Sequence, residues 1–405
     1  MMWPTDWHEY ELGELLSLSN GINADRTAYG RGTPFINVLE VITNESLTVS
    51  DIPGRVTVPT QVLARYRVNR ADVLFNRTSE TQEEVGLAAV YLDEEPVVFG
   101  GFVFRGRPTT THIEIAYSKY ALRATNVRNQ ITARGQGGIR ANIGQRDLKS
   151  VVIRLPGKPE QRAIGRALDD AEQLIATLER LITKKQAIKQ GMMQQLLTGR
   201  TRLPGFTAEW RSTTIGSVAD QHRRTIDPRK ERDRRFQHFS LPAFDDGEVP
   251  VNESGAAIDS VKFLVPSKSV LVSKLNPRIP RIWAPKEVGA HAIASTEFVV
   301  MTPTDGIDRS FLKWLMKSDA VTSRMKLLAT GTTGSHARIH PRQIAVLEVE
   351  IPSEAEQIAI ATALDDVDRE IGLIGDRLVK ARSIKTGMMQ QLLTGRTRLP
   401  VEVAS

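Results

Sequence analysis

The fourteen residues GMMQQLLTGRTRLP at positions 191–204 recur without change at positions 387–400. Two identical stretches of this length do not arise by chance, so the chain contains an internal duplication with an offset of 196 residues. At the same offset, the residues EQ, AI and ALDD within 160–170 fall on identical residues within 356–366. One segment of about 45 residues is therefore present twice.

The regions before each copy also correspond, although more weakly. The sequence DVLFNR at 72–77 resembles SVLVSK at 269–274, FVF at 102–104 resembles FVV at 298–300, and Trp7 with Leu12 resembles Trp210 with Ile215. Similarity at positions that a fold would bury indicates that the whole chain is duplicated. The expected order is a first variable domain (1–155), a first repeated helix (156–204), a second variable domain (205–351), a second repeated helix (352–400) and a tail (401–405).

Each repeated segment has the apolar spacing of a long helix with one narrow seam. Ile164, Leu168 and Leu178 belong to a series spaced by fours and threes, and Ile360 and Leu364 begin its copy. This spacing is typical of a coiled coil. We expect the helices to begin after Pro159 and Pro352, to end near Gly199 and Gly395, and to span roughly 55 Å each.

The charges of the two helices indicate how they pair. Residues 160–179 carry five acids and two bases, whereas 180–204 carry six bases and no acid. The copy has six acids and one base over 356–376, then six bases and no acid over 377–400. Antiparallel pairing lays each acidic half along a basic half, so we expect an antiparallel coiled coil.

The identity of the two closing stretches exceeds what a coiled-coil seam requires, since a seam constrains only its apolar positions. We therefore expect a partner to contact this surface twice, so that two equal patches bind two copies of it. The alternative is a pair of solvated linker helices with ordinary amphipathic surfaces. The expected partner-binding residues are Gln161, Arg162, Met192, Gln194, Gln195, Arg200, Gln357, Met388, Gln390, Gln391 and Arg396.

The variable domains alternate short β-rich runs with glycine, proline and polar turns. Residues 151–155 and 347–351 alternate with period two, which predicts strands with one buried face. A helix is expected over 310–329, with a match near 117–125. The expected fold is α+β, with two variable domains joined by two long helices that pair as an antiparallel coiled coil in a pseudo-twofold duplication.

Basic residues cluster in both variable domains, and arginine is the residue that most often makes bidentate contacts to base edges. Glycine-rich loops at 134–140 and 330–338 offer backbone N–H groups that approach phosphates or bases, or they are simple turns into the last strand. A charge run on its own is more often a solvated face, but two runs in duplicated domains favour DNA. The expected DNA-binding residues are Arg77, Arg123, Arg128, Arg134, Arg140, Arg223, Arg224, Arg232, Arg234, Arg235, Lys274, Arg278, Arg281, Ser335, His336 and Arg338.

The composition agrees with this interpretation. The 54 Lys+Arg against 47 Asp+Glu give a net charge of +7 and a pI near 9.6, which suits a polyanionic partner. The absence of cysteine excludes disulfides, cysteine-ligated metals and thiol catalysis. Because no signal peptide or membrane span is evident in the sequence, we expect a soluble protein of the cytoplasm.

The whole chain resembles the specificity (S) subunits of type I restriction-modification systems, a bacterial defence. The resemblance rests on the EQ(R/I)AI…LDD opening, the KK…IK…GMMQQLLTGRTRLPGF closing and the alternation of variable domains with repeated helices. The second helix departs from the first, because Ile358 stands where the first has Arg162. The two expected docking surfaces are therefore unequal at this position.

The resemblance implies that each variable domain is a target-recognition domain that reads one half of a split, asymmetric DNA sequence. It also implies docking of two methyltransferase (M) subunits on the repeated helices and, through them, of motor-nuclease (R) subunits. The chain itself is then non-catalytic and holds no cofactor, and S-adenosylmethionine, ATP and Mg²⁺ belong to the partner subunits. An adaptor that binds only proteins is the alternative, which the basic variable domains count against.

Catalytic motifs are incomplete in this sequence. The NPRI stretch at 276–279 lacks the second proline and the aromatic residue of the adenine methyltransferase NPP(F/Y) motif, and no GxxxxGK(S/T) phosphate loop occurs. His336 and His340 have the spacing of metal ligands but lack the glutamate of HExxH. We therefore expect neither a catalytic nor a metal site.

Overall fold

The computed structural model describes residues 3–137, 140–331 and 336–400. The chain divides into two compact units, unit 1 (Met1–Glu179 and Arg377–Ser405) and unit 2 (Arg180–Asp376). The division falls inside both long helices. Each unit therefore contains one variable domain together with a part of each long helix.

Unit 1 contains six short helices and twelve strands among its described residues. The helices are α1 (Leu12–Leu15), α2 (Val38–Thr43), α3 (Thr60–Tyr66), α4 (Ile115–Ala121), α5 (Thr125–Arg134) and α6 (Gln145–Lys149). The strands are β1 (His8–Glu11), β2 (Leu16–Asn20), β3 (Tyr29–Ile36), β4 (Ser46–Leu47), β5 (Arg55–Val56), β6 (Val73–Asn76), β7 (Thr78–Ser79), β8 (Ala88–Tyr91), β9 (Val98–Phe99), β10 (Val103–Pro108), β11 (Ala141–Asn142) and β12 (Val152–Leu155).

The main sheet of unit 1 has the strand order β2-β10-β6-β8-β4, and β5-β3-β9 form a second sheet. Both faces of the main sheet are buried, since Phe75 packs with Leu12, Ile164 and Leu168 while its neighbour Leu74 packs on the opposite face. The period-two alternation of the strand produces this division. Strands β1 and β12 pair antiparallel, which joins the start of the domain to the segment that leads into the first long helix.

Unit 2 contains five short helices and eleven strands among its described residues. The first long helix is α7 (Lys158–Leu196), and the short helices are α8 (Ile215–Val218), α9 (Leu241–Asp245), α10 (Arg309–Lys317), α11 (Asp319–Leu328) and α12 (Pro341–Ala345). The second long helix is α13 (Glu354–Leu392). The strands are β13 (Arg211–Thr214), β14 (Ala219–His222), β15 (Thr225–Ile226), β16 (Arg235–Phe239), β17 (Val251–Ser254), β18 (Lys262–Leu264), β19 (Val270–Ser273), β20 (Ile282–Trp283), β21 (Ala292–Ala294), β22 (Phe298–Pro303) and β23 (Glu348–Ile351).

Unit 2 repeats the central arrangement of unit 1. Its sheets have the orders β14-β22-β19-β20 and β15-β18-β21-β16-β17, and β13 pairs antiparallel with β23. Val270 and Val272 pack with Phe311, Ile360 and Leu364, while Leu271 packs on the opposite face. The weak sequence correspondence between β6 and β19 is thus confirmed as a repeated central strand.

The expected helix over 310–329 is instead two helices, α10 and α11. Ser318 between them has extended backbone (φ −63°, ψ 148°), and its hydroxyl accepts a hydrogen bond from Val321 N at 3.4 Å. Serine caps a new helix in this way, because its side chain satisfies an N–H group that lacks a helical partner. Unit 1 also has two helices here, α4 and α5, but the residue before α5 is Ala124, which has no side-chain cap.

The predicted apolar stripe of the long helices is buried, but its two ends have different partners. Ile164, Leu168, Ile360 and Leu364, at most 1% exposed, pack in the cores of the variable domains, whereas Leu178 and Ile374, 9% and 5% exposed, lie further along the helices. Within unit 2, Lys185 pairs with Glu370 at 2.8 Å and Lys189 with Asp368 at 2.7 Å, so α7 and α13 run antiparallel. Within unit 1, Arg382 pairs with Glu179 at 2.6 Å, again basic half against acidic half.

Both long helices end on the same glycine cap. Gly199 and Gly395 have φ angles of +67° and +68°, the left-handed conformation that glycine adopts without steric cost. Both caps pack on a tryptophan near the start of a variable domain, Gly199 on Trp210 and Gly395 on Trp7. In each unit, the identical closing stretch therefore ends the long helix with a glycine that packs on a tryptophan.

Candidate nucleic-acid interface

Arg77 and Lys274 occupy matched positions, directly after the central strands β6 and β19. The backbone N–H of Arg77 donates to Phe102 O at 2.8 Å, and that of Lys274 donates to Glu297 O at 2.8 Å. Their carbonyls accept from Ile143 N at 3.0 Å and from Ile339 N at 3.1 Å, respectively. Each cationic residue is thus held between a turn and the segment that follows a glycine-rich loop.

The glycine-rich loops are closed by paired backbone hydrogen bonds. Gln136 and Asn142 exchange two bonds of 2.8 Å, and Thr330 and Arg338 exchange bonds of 2.9 and 2.8 Å. The loops do not turn directly into the last strand, because α6 lies between the first loop and β12, and α12 lies between the second loop and β23. The predicted Ser335 lies outside the described residues.

In unit 2, the charge of Lys274 interacts with the Glu297 carboxylate and with two further predicted cationic residues, Arg338 and Arg223. Arg338 pairs with Glu297 at 3.0 Å. Burial lowers the pKa of Lys274, the Glu297 carboxylate opposes that shift, and the charges of Arg338 and Arg223 add to it. A concentration of positive charge at the surface suits a phosphate or a base edge.

The equivalent surface of unit 1 carries different side chains. Arg77 is exposed and its guanidinium lies 5.7 Å from the ring centre of Phe104, and Arg140 is exposed at the base of the loop. Phe102, 62% exposed, stands where unit 2 has Glu297. The pairing of Val103 with Asn76 and of Phe298 with Ser273 fixes this equivalence. The sequence alignment of FVF with FVV was therefore wrong by one residue.

Arg123 and Arg128 are corrections to the predicted DNA-binding set, because their guanidiniums donate to backbone carbonyls inside the domain. Arg123 donates to Ala88 O and to Val41 O, both at 2.6 Å, and burial lowers its pKa. Arg128 donates to Val85 O at 2.7 Å, and burial lowers its pKa to about 10. Both side chains are used inside the domain and are not available to DNA.

Arg134 also bonds within its domain, to Gln130 O at 2.9 Å. In unit 2, Arg281 pairs with Asp245 at 2.7 Å, and its backbone carbonyl accepts from Ser273 N beside Lys274. The other predicted residues of unit 2 lie at the surface, where Arg234 pairs with Glu231 and Arg235 donates to Asn252 O. The exposed residues are Arg223, Arg224, Arg232, Arg234, Arg235, Arg278, His336 and Arg338.

Arg31 is a candidate that the sequence analysis missed. Tyr29 and Thr33 of β3 both pair with Val56, so the three residues between them bulge out of the sheet. Gly30 and Gly32 each have φ +99°, and Arg31 between them is exposed. The Gly-Arg-Gly triplet was the available signal, because two glycines allow a tight bulge that presents one long cationic side chain.

Gln161 and Gln357 are corrections to the predicted partner-binding set. Each is 1% exposed, and each fixes the start of a long helix. Gln161 accepts from Glu114 N at 2.9 Å and donates to His112 O at 2.8 Å, and Gln357 accepts from Asp308 N at 3.0 Å. A buried side chain bonded to backbone cannot contact a partner.

Charged residues of the repeated motif also have partners within each unit. Arg202 pairs with the buried Glu356 at 2.6 Å, and Arg398 pairs with the buried Glu160 at 2.7 Å. Asp169 accepts from Lys119 and Tyr120, and Asp365 accepts from Lys313 and Trp314. Much of the repeated sequence is therefore explained by contacts inside each unit.

Other predicted docking residues lie at the surface of the long helices. Met192 and Met388 are half-buried against the cores, and Arg162 pairs with Glu114 at 3.0 Å. Gln194 donates to Asp319 at 3.2 Å, and Gln195 and Gln391 accept from Thr201 and Thr397. The exposed members of the set are Arg162, Gln194, Gln195, Arg200, Gln390, Gln391 and Arg396.

Gly191 and Gly387 lie in the interior of the long helices, four residues or more before their ends. A Cβ at either position would meet no described atom within 4 Å. Glycine costs a helix interior about 1 kcal/mol relative to alanine. Nothing within the described part of either unit requires glycine there.

Two further properties concern metals and membranes. Over residues 3–137, 140–331 and 336–400, no cluster of three or more acidic or histidine side chains has an arrangement that could hold a metal ion. His340 instead caps α12, where its ring accepts from Arg342 N at 3.2 Å. No helix in the same ranges combines the length and apolar character needed to cross a membrane.

Residues 4–190 match the family model for the type I restriction modification DNA specificity domain. The "Putative type I restriction enzyme MjaX specificity subunit" of Methanocaldococcus jannaschii is 28% identical over 198 residues, 48% of this chain and 46% of the relative. The EcoKI specificity subunit of Escherichia coli is 26% identical over 214 residues, 51% of this chain and 45% of the relative. The match thus spans less than half the length of either relative.

The fold matches solved structures over nearly the whole chain. A type I restriction-modification S subunit from M. genitalium aligns with a TM-score of 0.57 and 15% identity, covering 97% of this chain and 98% of that one. A chain from a study of assembly and conformational transition of the type I R-M system aligns with a TM-score of 0.58 and 15% identity, covering 98% and 100%. These likenesses show that the duplicated α+β fold is shared.

Proposed function

We propose, from the match of residues 4–190 to the family model for the type I restriction modification DNA specificity domain, that this chain is the DNA-recognition subunit of a type I restriction-modification complex. Each unit reads one half of a bipartite, asymmetric target in double-stranded DNA. The supporting observation is that the same backbone arrangement carries different side chains in the two units. These are Arg77 with Phe102 in unit 1 and Lys274 with Glu297 in unit 2. A repeated scaffold with different contact groups suits two different half-sites.

The exposed arginine and lysine side chains of both units supply affinity for DNA. The groups around the glycine-rich loops select the DNA sequence. Phosphate contacts position a protein on the duplex, whereas contacts to base edges specify the sequence. In unit 2 the surface arginines include Arg223, Arg232 and Arg234, close in sequence to strands β14 and β16. Binding therefore weakens steeply with salt, with a slope near −0.9 per neutralised phosphate in log K against log[salt].

Methylation-sensitive sequencing of DNA from cells that coexpress this chain with its methyltransferase subunit tests the proposal. Two unlike half-sites separated by a nonspecific spacer are expected. Exchange of residues 1–155 for those of another family member should then change only one half-site. A single contiguous palindrome, or a change in both half-sites after the exchange, contradicts the proposal.

Replacement of Arg232, Arg234 and Arg235 by Ala separates the two kinds of DNA contact in unit 2. An equal loss of affinity on all sequences assigns these residues to phosphates, and relaxed choice at one half-site assigns them to bases. Fluorescence anisotropy at two salt concentrations measures both quantities. Unchanged affinity and unchanged choice would remove this cluster from the interface.

The same proposal places two methyltransferase subunits on the long helices and motor-nuclease subunits on those. Gly191 and Gly387 support docking at this face. Each glycine lowers the stability of its helix, and no described neighbour requires a glycine there. A missing side chain lets another helix approach closely. The surrounding exposed residues Gln194 and Gln390 provide polar contacts at equivalent places.

Gly191→Leu together with Gly387→Leu tests the docking face. Leucine favours a helix and meets open space here, so the chain should fold at least as stably as the wild type. We expect the double variant to lose methyltransferase subunits in size-exclusion chromatography with light scattering, whereas Gly191→Ala with Gly387→Ala retains them. Full assembly of the leucine variant would exclude this face.

In the proposed complex this chain performs no catalytic step. The sequence has no complete methyltransferase or phosphate-loop motif, so S-adenosylmethionine, ATP and Mg²⁺ are assigned to the partner subunits. Isothermal titration of S-adenosylmethionine into this chain alone should give no binding heat. Titration into the complex with the methyltransferase subunit is the positive control.

A further inference from the structure

Phe102 is the one exposed phenylalanine among the described residues, and its ring is 62% exposed. It lies in the tight turn between β9 and β10, where Val103 N donates to Gly100 O at 2.9 Å. Its neighbours Phe99 and Phe104 are at most 2% exposed. The exposure is therefore specific to the tip of this turn.

The turn that carries Phe102 is fixed on both sides. Gly100 N donates to Ile36 O at 3.0 Å, Gly101 N donates to Ile22 O at 2.8 Å, and the carbonyl of Phe102 accepts from Arg77. A Cβ on Gly21 would lie 2.1 Å from the backbone carbonyl oxygen of Gly100, so the preceding segment packs directly against this turn. These bonds hold the backbone of Phe102 at the surface of the domain.

The surroundings of Phe102 belong to the candidate interface. Arg77, bonded to the carbonyl of Phe102, is exposed, and the glycine-rich loop begins and ends beside it. The equivalent position in unit 2 holds Glu297, a carboxylate paired with Arg338. Unit 1 thus presents an exposed apolar ring where unit 2 presents an ion pair, and the Arg77 guanidinium lies over the ring of Phe104.

We propose that Phe102 makes the apolar base contact of the half-site read by unit 1, which rests on the proposed DNA-binding function. Two features of DNA offer an apolar partner to a rigid phenyl ring. One is the C5 methyl group of thymine in the major groove, and the other is the face of a base at an unstacked step. Arg77 supplies the adjacent phosphate or base-edge contact.

The test uses the full chain in complex with its methyltransferase subunit and the target mapped by methylation. Phe102→Ala and Phe102→Leu are compared with wild type on duplexes in which each thymine of the first half-site is replaced by uracil. Loss of one methyl contact should weaken wild-type binding about four-fold at one position. The alanine variant should be insensitive to that replacement, and the leucine variant should retain part of the sensitivity.

A fluorescent 2-aminopurine placed at each base step of the first half-site tests the second possible partner, the face of an unstacked base. If Phe102 inserts between bases, fluorescence rises on binding of wild type and not of Phe102→Ala, while uracil has no effect. Leu39→Ala, which removes another exposed apolar side chain of unit 1 (66% exposed), is the matched control and should bind as wild type.

The outcomes separate this inference from the function on which it rests. If wild type binds its target and Phe102→Ala keeps the same affinity and the same response to uracil and 2-aminopurine, the inference is overturned and the proposed function stands. An equal loss at both half-sites also overturns it. If the wild-type complex has no target preference, the proposed function itself fails.

Discussion

Gln161 and Gln357 show how much one buried amide contributes to each unit. Each side-chain amide donates to two backbone carbonyls, one just before the long helix and one in a distant segment. These are Pro156 and His112 in unit 1, and Pro352 and Gly306 in unit 2. Replacement of either by Ala leaves buried backbone groups unpaired and should lower the free energy of unfolding by about 1–3 kcal/mol. Urea denaturation measures the change, and Gln390→Ala on the exposed face is the control with no expected effect.

The two arginines of the closing motif should behave differently from each other. Arg202 pairs with the buried Glu356, whereas Arg200 is exposed. Arg202→Ala strands a buried carboxylate and should lower the melting temperature. Arg200→Ala should leave the melting temperature unchanged and weaken methyltransferase docking. Differential scanning fluorimetry and pull-down of the partner give the two readings, and a reversal of this pattern would contradict the assignment.

At the scale of single residues, the sequence predicts burial well where the apolar residues are periodic and poorly where burial depends on distant contacts. The seam positions Ile164 and Leu364 were predictable because their spacing has a period that only a helix face explains. The burial of Arg123 was not, because it depends on carbonyls of Val41 and Ala88, distant in sequence. The exposed Phe102 was hidden by a shift of one residue between the two copies.

The antiparallel pairing of the long helices can be measured at the element scale. Lys185 and Glu370 form a partly exposed pair, so a double-mutant cycle should give a coupling energy of about 0.2–1 kcal/mol. Lys185→Glu alone places like charges side by side and destabilises the helix pair. Lys185→Glu with Glu370→Lys restores the attraction. Failure of the double exchange to recover stability would argue against this register.

Acid should loosen the attachment of α10 to α13 through Asp365. Burial opposes ionisation of this carboxyl, but hydrogen bonds from Lys313 and Trp314 outweigh burial and hold its pKa below the ordinary 3.8. A lowered folded-state pKa gives stability above the ordinary pKa that is lost as pH falls through the folded value. Chemical denaturation between pH 5 and pH 3 should show this loss.

Asp365→Asn should lower stability at neutral pH and flatten its dependence on acid. Asp366→Asn, at the exposed neighbouring position, is the matched control for the loss of one negative charge. The position of Asp365 in the duplicated LDD motif was visible in the sequence. Its use as an anchor for Lys313 was not, because the two residues are 52 positions apart.

At the scale of the whole molecule, the duplication predicted the architecture because two copies constrain each other. Strands β12 and β23 follow from the period-two runs before each long helix, whereas their pairing with β1 and β13 was not predicted. The division into units did not follow from the repeat. The repeat suggested domains and helices as separate segments, whereas each compact unit includes parts of both helices. Packing of the helix ends on distant cores produces that division.

The core of unit 1 contains Leu392 and Leu393 together with Phe75, Ile164 and Leu168. On the ribosome, residues 180–376 emerge between these two parts of one core, a delay of about 10–40 s at ordinary rates of synthesis. Unit 2 is continuous in sequence and needs no later residue. Unit 2 should therefore fold before unit 1. Chains arrested after residue 376, once clear of the exit tunnel, should resist protease in 180–376 and remain sensitive in 1–179.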